Sequence, residues 1–404
     1  MSHFFHASFS FSLTPISLSP ALPPPLPTPL RRLFYQTPVL MERMSALPEV
    51  YFSAGDMVLG KKTTIMEDLS ASGAVQCGYY FGPNSPHNYG KDLAALTAGV
   101  ASSQEEILAQ VATLAAEMHG ENWGDVGSFE SLPWLKSAAW YHGEGRQAWD
   151  GGQAYTRQVW AKVRDGDVCS GWDPELRALI DSSIDKGKSW EGFQASLKEE
   201  PCTLIHSDFH PANLMIRTRR PVALSVRDYA MDEQSSEEGD TEAIEEDAKD
   251  EAFVLKMQAR AAAAEQLRAS GTLPASKGNS DNELVVLDFE LVGLGSGAQD
   301  LGQFLISHSS PADRERTELP FLQQYHAALT TVLATKGVDT AVEYPFDTLL
   351  RDYALHGAGK WIWLLVVMSD MESCKPIMPY FHAQVHTHSL YVCLSVYLPA
   401  SLVP

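Results

Sequence analysis

Hydrophobic spacing along the chain changes period several times, and each change marks an element. Between Val50 and Leu69 short apolar runs alternate with glycines: Val50-Tyr-Phe, Gly55-Asp, Met57-Val-Leu, Gly60-Lys, then Thr63-Thr-Ile-Met. Such β-branched and aromatic runs bounded by Gly read as strand, Gly turn, strand, so the segment predicts a hairpin. From Ser103 to His119 the period becomes helical. Ser103 with Glu106 three positions on is a capping-box pattern, in which hydroxyl and carboxylate satisfy each other's backbone amides. This helix is expected in the core, with His119 as a satisfied core histidine rather than a metal ligand. A largely helical stretch follows, spaced by Trp134, Trp140, Trp149, Trp160, Trp172 and Trp190. Core packing is the simplest reading of each Trp, and an aromatic-lined substrate site is the alternative. The run Thr203-Leu-Ile205 and the run Leu284-Val-Val-Leu287 then read as short strands, each delivering the chain into a polar loop.

Other stretches carry no packing pattern. Residues 1–32 form a Pro- and Ser-rich leader whose Pro20-Ala-Leu-Pro-Pro-Pro-Leu-Pro-Thr-Pro29 run cannot hold a helix. Residues 217–283 read as an acidic, disordered insertion, since residues 231–251 hold eleven Asp or Glu against one Lys. Within it Glu251 to Arg268 is rich in Ala, Gln and Arg and suits one exposed helix. Residues 387–404 form an irregular tail.

The formal charge of −21 argues against a nucleic-acid surface and against attraction to anionic membranes, and about half of it lies in the acidic block. The composition of the whole chain, 45% hydrophobic and 10% aromatic, is that of a folded globular protein. Neither Trp361 to Met368 nor the uncharged tail after Lys375 offers the ~20 apolar residues of a spanning helix. Five scattered cysteines (Cys77, Cys169, Cys202, Cys374, Cys393) form no Cys-x-x-Cys pair, so a reducing, cytoplasmic setting is expected and Cys202 reads as a buried structural thiol. The acid-free, Ser-rich leader followed by Arg31-Arg32 keeps an organelle address open as the alternative.

Chemistry concentrates in two places. Residues 204–215 read Leu-Ile-His-Ser-Asp-Phe-His-Pro-Ala-Asn-Leu-Met, and Leu284-Val-Val-Leu-Asp-Phe-Glu290 follows after the insertion. A His-x-Asp-x-x-x-x-Asn loop and a second Asp closing an apolar run supply what phosphoryl transfer needs. Asp208 can orient an attacking hydroxyl and take its proton. Asn213 and Asp288 offer the hard oxygens that suit Mg2+. His206 is expected to bond backbone near the loop or the Asp288 turn.

His206-Ser-Asp-Phe-His-Pro-Ala-Asn-Leu-Met215 resembles the catalytic loop of the aminoglycoside phosphotransferase and choline kinase superfamily, with Ser207 where Gly is commonest. Val286-Leu-Asp-Phe-Glu290 through Asp300-Leu-Gly resembles that superfamily's metal-binding segment, and Asp-Phe-Glu resembles in particular the ecdysteroid kinase-like (CHK kinase-like) branch. Ile65-Met-Glu-Asp-Leu69 is similar to its interlobe hinge, Leu114 to His119 to its Leu-Ala-x-x-His helix, and Phe321 to His326 to a helix after the metal segment. The resemblance implies a protein-kinase-like α+β fold with a largely helical C-lobe and an incomplete N-lobe. It divides the chain into a partial N-lobe and hinge at 33–70, a first C-lobe part with the catalytic loop at 71–216, and a second with the metal segment at 284–386. It implies ATP and Mg2+ as cofactors, backbone near Glu67, Asp68 and Leu69 meeting the adenine, Asp300 bracing the catalytic loop, and Lys360-Trp-Ile-Trp363 on a late helix opposite that loop. The partner implied is a small-molecule hydroxyl acceptor.

The same comparison shows what is missing. Kinases of this shape hold ATP with a Gly-rich hairpin and a strand Lys paired to a helix Glu. Here residues 1–30 contain no Gly, Lys or acidic residue, and the first Lys is Lys61. Arg31-Arg-Leu-Phe-Tyr35 resembles the family helix ending in Phe-Tyr, but Arg31 stands where its Glu is expected, with Glu42 the nearest substitute. Three readings stay open: an active kinase lacking its first segment, a pseudokinase or binding scaffold, and a divergent N-lobe. A metal-dependent hydrolase built on His206, Asp208 and His210 is a third class of function.

Overall fold

The structure is a computed structural model. It describes residues 34–56 apart from 36, 38, 39, 42 and 45, residues 61–219 apart from 84, 130, 131, 186–188 and 200, and residues 282–385. The leader, Arg31, Glu42, almost all of the acidic insertion with its expected helix, and the 387–404 tail lie outside the described residues. The described part is a mixed α and β protein, mostly helical with three small sheets.

The first sheet is a ribbon of β1 (Val50–Asp56) and β2 (Lys61–Met66), antiparallel, with Asp56 opposite Lys61 and a bulge between Val50 and Phe52. Gly55-Asp56, read as a turn from the sequence, remains inside β1 opposite Lys62 and Lys61. Residues 57–60 lie outside the described residues; among the described strands no third one pairs with this ribbon, so a Gly and an Asp in β1 interrupt no further ladder.

The second sheet runs β3 (Val75–Gln76), β5 (Leu214–Thr218), β6 (Asn282–Val286) in that order. The third pairs β4 (Thr203–Ile205) with β7 (Gly293–Gly295), and every one of these strand pairs is antiparallel. Thr218 lies opposite Asn282, so the chain leaves β5 and re-enters β6 at neighbouring points. β4 and β5 flank the His206–Asn213 loop, and β6 and β7 flank Asp288.

Helix α1 (Gln104–Glu121) starts at the capping box: Glu106 N–H donates to Ser103 Oγ at 3.2 Å and Ser103 N–H to Glu106 Oε2 at 3.0 Å. Its Ile107, Val111 and Ala115 are fully buried in the main core. Helices α2 (Arg146–Val163), α3 (Pro174–Asp185) and α4 (Trp190–Glu199) follow, then α5 (Ala298–His308) and the long α6 (Pro311–Thr335). A π-helical turn, Tyr353–Ala358, runs directly into α7 (Gly359–Asp370). Phe304 of α5 and Phe321 of α6 join the main core, while Trp160 of α2, Ile180 of α3 and Leu365 of α7 build a second one. Trp160 and Trp172 stack within that second core, and Trp149 stacks on Phe193 beside Trp190, so these tryptophans pack helices together. α5 crosses the π-helical turn so closely that a Cβ on Gly302 would overlap the Gly357 backbone. Among the described residues no helix is long and apolar enough to cross a membrane.

Candidate active site

The loop after β4 is held from beneath by one carboxylate. Asp300, fully buried in the first turn of α5, accepts the His206 N–H at 2.7 Å on Oδ2 and the Ser207 N–H at 2.9 Å on Oδ1. His119 of α1 approaches the same Oδ2 through Nε2 at 3.3 Å and meets the Tyr325 hydroxyl through Nδ1 at 3.0 Å. Burial would raise the Asp300 carboxyl, but His119, His206 and the loop amide together hold it below its ordinary value. His119 is thus a satisfied core histidine, and its task is to anchor the residue that anchors the loop.

Ser207 adopts φ 66°, a left-handed conformation that costs a Cβ-bearing residue energy and explains why Gly suits this position. The twist turns the Ser207 carbonyl to the far side, where Lys360 Nζ donates to it at 2.8 Å. His206 faces inward: Nε2–H donates to the Leu287 carbonyl at 2.8 Å, and Nδ1 accepts the Asp208 N–H at 3.3 Å. Both ring nitrogens are therefore committed to backbone, which leaves none for a hydrolytic metal. No group of three or more His, Cys, Asp or Glu that could hold a metal ion occurs among the described residues.

Asp208 and Asn213 face each other across the loop. Asn213 Nδ2 donates to the Asp208 carbonyl at 3.0 Å and lies 3.4 Å from Asp208 Oδ2, while Gln303 Nε2 lies 3.4 Å from Oδ1. With its amide nitrogen so placed, Asn213 Oδ1 has no hydrogen-bond partner among the described residues. Burial pushes the Asp208 carboxyl up, yet the His210 imidazole at 3.6 Å, with His206 and Lys360 behind it, brings it below its ordinary value. Asp208 is ionised at neutral pH.

Asp288 enters through the backbone. Leu287 N–H donates to the Asn213 carbonyl at 2.9 Å, Leu287 C=O receives His206, and the next residue, Asp288, turns left-handed at φ 65°, ψ 54°. Phe289 then stacks on Phe34 with ring centroids 4.0 Å apart and planes within 2°, fixing the turn against the first described helical residues. Asp288, half-buried, thereby follows the Asn213 end of the β5–β6 pair in the chain.

The hinge residues lie at the other end of β5. Glu67 Oε1 accepts the Glu49 amide at 3.0 Å and Oε2 accepts Arg217 Nη1 at 2.6 Å, while Arg217 Nε reaches Glu283 at 2.7 Å. Asp68 Oδ1 caps the amides of Ser70 and Ala71 at 2.9 and 3.1 Å. The Leu69 carbonyl accepts Ala74 N–H at 3.0 Å and Ser72 Oγ–H at 2.7 Å. Both hinge carboxylates are thus engaged inside the protein. With ~3.3 Å per strand residue, Leu214 and Arg217 stand about 10 Å apart along β5, so the Glu67 contact and the loop lie toward opposite ends of that strand.

Several neighbours were not singled out from the sequence. Gln303 sits one helical turn after Asp300, and both reach the loop from the same buried helix. His210 stacks on buried His308 with centroids 5.6 Å apart, and His87 lies 5.9 Å beyond. Burial and mutual repulsion hold His308 well below its ordinary value and His87 down to about 4, so both are neutral at pH 7. Lys136, whose backbone bonds Val292 and Leu294 beside β7, adds positive charge near Asp208 and Asp300.

A family model described as "Uncharacterized oxidoreductase dhs-27" matches residues 275–379, the stretch that carries Asp288, Asp300, Gln303 and Lys360. That family is known in the ecdysteroid (CHK) kinase-like group. No curated protein matches the chain.

Proposed function

We propose that this protein is an ATP- and Mg2+-dependent phosphotransferase acting on the hydroxyl of a small molecule, built on a protein-kinase-like two-lobe fold. The reading is supported by a juxtaposition in the backbone: Asp208 and Asn213 share one loop and are hydrogen-bonded to each other, and Asp288 directly follows Leu287, whose N–H donates to the Asn213 carbonyl. Asn213 Oδ1 and the Asp288 carboxylate would hold Mg2+. Bound there, the ion would offset the charge of nucleotide phosphates. Asp208, ionised and kept off the amides that brace the loop, orients the acceptor hydroxyl and takes its proton as the bond to phosphorus forms. Main-chain groups of the Glu67–Leu69 turn, tied to β5 through the Glu67–Arg217 pair, suit the nucleotide base, because the Glu67 and Asp68 side chains are already bonded within the protein.

The word oxidoreductase in the matched family's description calls for comparison with a dinucleotide site, which places a Gly-rich turn between a strand and a helix of a parallel sheet. Gly293-Leu-Gly-Ser-Gly297 before α5 has that look. Here the strand pairs are antiparallel, and the glycines face protein: a Cβ on Gly293 would overlap the Lys136 carbonyl and one on Gly297 would press on the His119 ring. The first turn of α5 also carries the Asp300 carboxylate, which repels pyrophosphate. A pseudokinase or binding scaffold is the second reading, because Arg31 stands where the resembled family's helix Glu is expected.

Mg-ATP titration read by thermal shift tests the assignment. Stabilisation of the native chain that is lost in Asp288→Ala supports the metal site, and equal stabilisation of both opposes it. Release of ADP against a panel of alcohols should fall by about 10^2 to 10^4-fold in Asp208→Asn, the range for loss of a positioned acid or base; no turnover by the native chain with any alcohol favours the scaffold.

A further inference from the structure

Beside the catalytic loop lies a cavity of about 450 Å3, within the usual range for small-molecule sites. Leu179 and Ser183 of α3 line it on one side, and Leu355, Ile362 and Trp363 of the π-helical turn and α7 on the other. Lys360 is the one Lys, Arg, Asp or Glu among its lining residues. The same Lys360 donates to the Ser207 carbonyl, immediately before Asp208, so the charged residue of the cavity also touches the loop that carries the proposed chemistry.

An ammonium has three donors, and the Ser207 carbonyl uses one. The walls that strip water from Lys360, together with the Lys136 charge, draw its pKa down to about 8 against the pull of Asp300 and Asp208. A poorly hydrated ammonium with unspent donors gains more from an oxyanion than an exposed lysine would, since charge-assisted hydrogen bonds strengthen as water is excluded. An ammonium-bearing guest would meet Lys360 with no lining carboxylate to offset the repulsion. Trp361, next in sequence, points away into the second core and donates Nε1–H to the Gly302 carbonyl at 3.3 Å, whereas Trp363 lines the cavity.

We infer that this cavity is the acceptor site and that it selects a hydroxylated molecule with an apolar body and an oxyanionic group, carboxylate or phosphate, paired with Lys360. The inference rests on the phosphotransferase reading for the word acceptor, but the binding preference stands or falls independently of it. Lys360 is a specificity residue here, acting on the guest's anionic group.

Four probes of one chain length separate the possibilities: ω-hydroxydodecanoate, dodecane-α,ω-diol, the monophosphate of that diol, and an ω-hydroxydodecyl trimethylammonium ion. Affinities come from thermal shift and tryptophan fluorescence of the full chain. One or both anions should bind at least about tenfold more tightly than the diol, with the better anion naming carboxylate or phosphate, and the ammonium probe should not bind. Lys360→Met should bring anion and diol to equal affinity, and Lys360→Arg should keep the preference. Ser183→Trp, which fills the cavity from the α3 side, should weaken all guests without touching Lys360. Equal affinities in the native chain, an undiminished preference in Lys360→Met, or unchanged binding in Ser183→Trp each overturn the inference. If Lys360→Met loses its cooperative melt, the native-chain comparison and Ser183→Trp decide. A clear anion preference with no ADP formed from Mg-ATP counts against the phosphotransferase reading alone.

Discussion

Asp300→Asn removes one charge from the fully buried group on which the candidate site is hung. In the native chain the carboxylate accepts two loop amides, at 2.7 and 2.9 Å, and the His119 ring at 3.3 Å. An amide of the same shape keeps one acceptor oxygen, so one of these donors must face an NH2 group. Losing a charged acceptor from a buried pair typically costs about 3 to 5 kcal/mol, and an orphaned buried amide alone costs about 1 to 3. A loss of about 3 kcal/mol at pH 7 is therefore expected, measured by urea unfolding with linear extrapolation. The pH dependence sharpens the test. The folded carboxyl is held below its ordinary value, so its stabilisation is fully present above the unfolded-state pKa, about 3.9, and fades as pH falls toward the folded pKa. The gap between native chain and variant should be full at pH 6 to 7 and narrow below about pH 4. A variant within about 1 kcal/mol of native at pH 7, or a gap that stays constant down to pH 3, would refute the claim that this charge holds the loop.

Other changes probe separate parts of the same frame. Ser207→Gly relieves a left-handed Cβ and should leave stability unchanged or raise it by up to about 1 kcal/mol in the same urea assay, whereas Ser207→Val should lower it. Gly302→Ala forces the α5 backbone from the Gly357 turn and should cost about 1 to 3 kcal/mol, visible as a lowered urea midpoint. Joining Arg219 to Asp281 through a short Asn-Gly turn should preserve cooperative melting, because Thr218 and Asn282 are already paired; the shorter loop should add up to about 2 kcal/mol. Native Cys77 and Cys202 should resist a thiol reagent at pH 8 and react only on unfolding, since burial pushes the Cys202 thiol up to about 11 and Cys77 higher still; prompt labelling of the folded chain would contradict their burial.

Local signals in the sequence were enough for some elements and blind to others, and the difference is physical. The Ser103–Glu106 cap, the two apolar runs that deliver His206 and Asp288, and the structural character of His119 and Cys202 depend on contacts within a few residues or on burial, which residue type and period report directly. Gly55-Asp56 read as a turn because Gly-Asp is a frequent turn pair, yet both residues pair across the ribbon and belong to β1. The Ser207 departure from Gly was legible as an oddity, but its meaning needed the φ of 66° in the folded chain.

Gln303 was hidden, and Asp300 and Lys360 were expected near the loop only through the resemblance, for another reason: what a buried polar group on a core helix meets is shown only by the fold. On α5, Asp300 and Gln303 lie three positions apart and both are buried, one under the loop amides and one beside Asp208. A buried carboxylate one turn from a buried amide on a core helix is costly unless both have partners elsewhere in the chain, so that spacing is itself a signal that something polar lies opposite. Lys360 obeys the same logic at the start of the apolar Trp361–Met368 run: an ammonium there must find an acceptor, and it finds the carbonyl that the left-handed Ser207 turns toward it. The two oddities explain each other. Replacing Ser207 by a residue that relaxes the twist should move its carbonyl off Lys360 and free the ammonium, so Ser207→Val and Lys360→Met should be non-additive in stability by more than the ~0.5 kcal/mol allowed for independent sites. Additive losses in that double-mutant cycle would show that the loop's twist and the lysine's position are set separately.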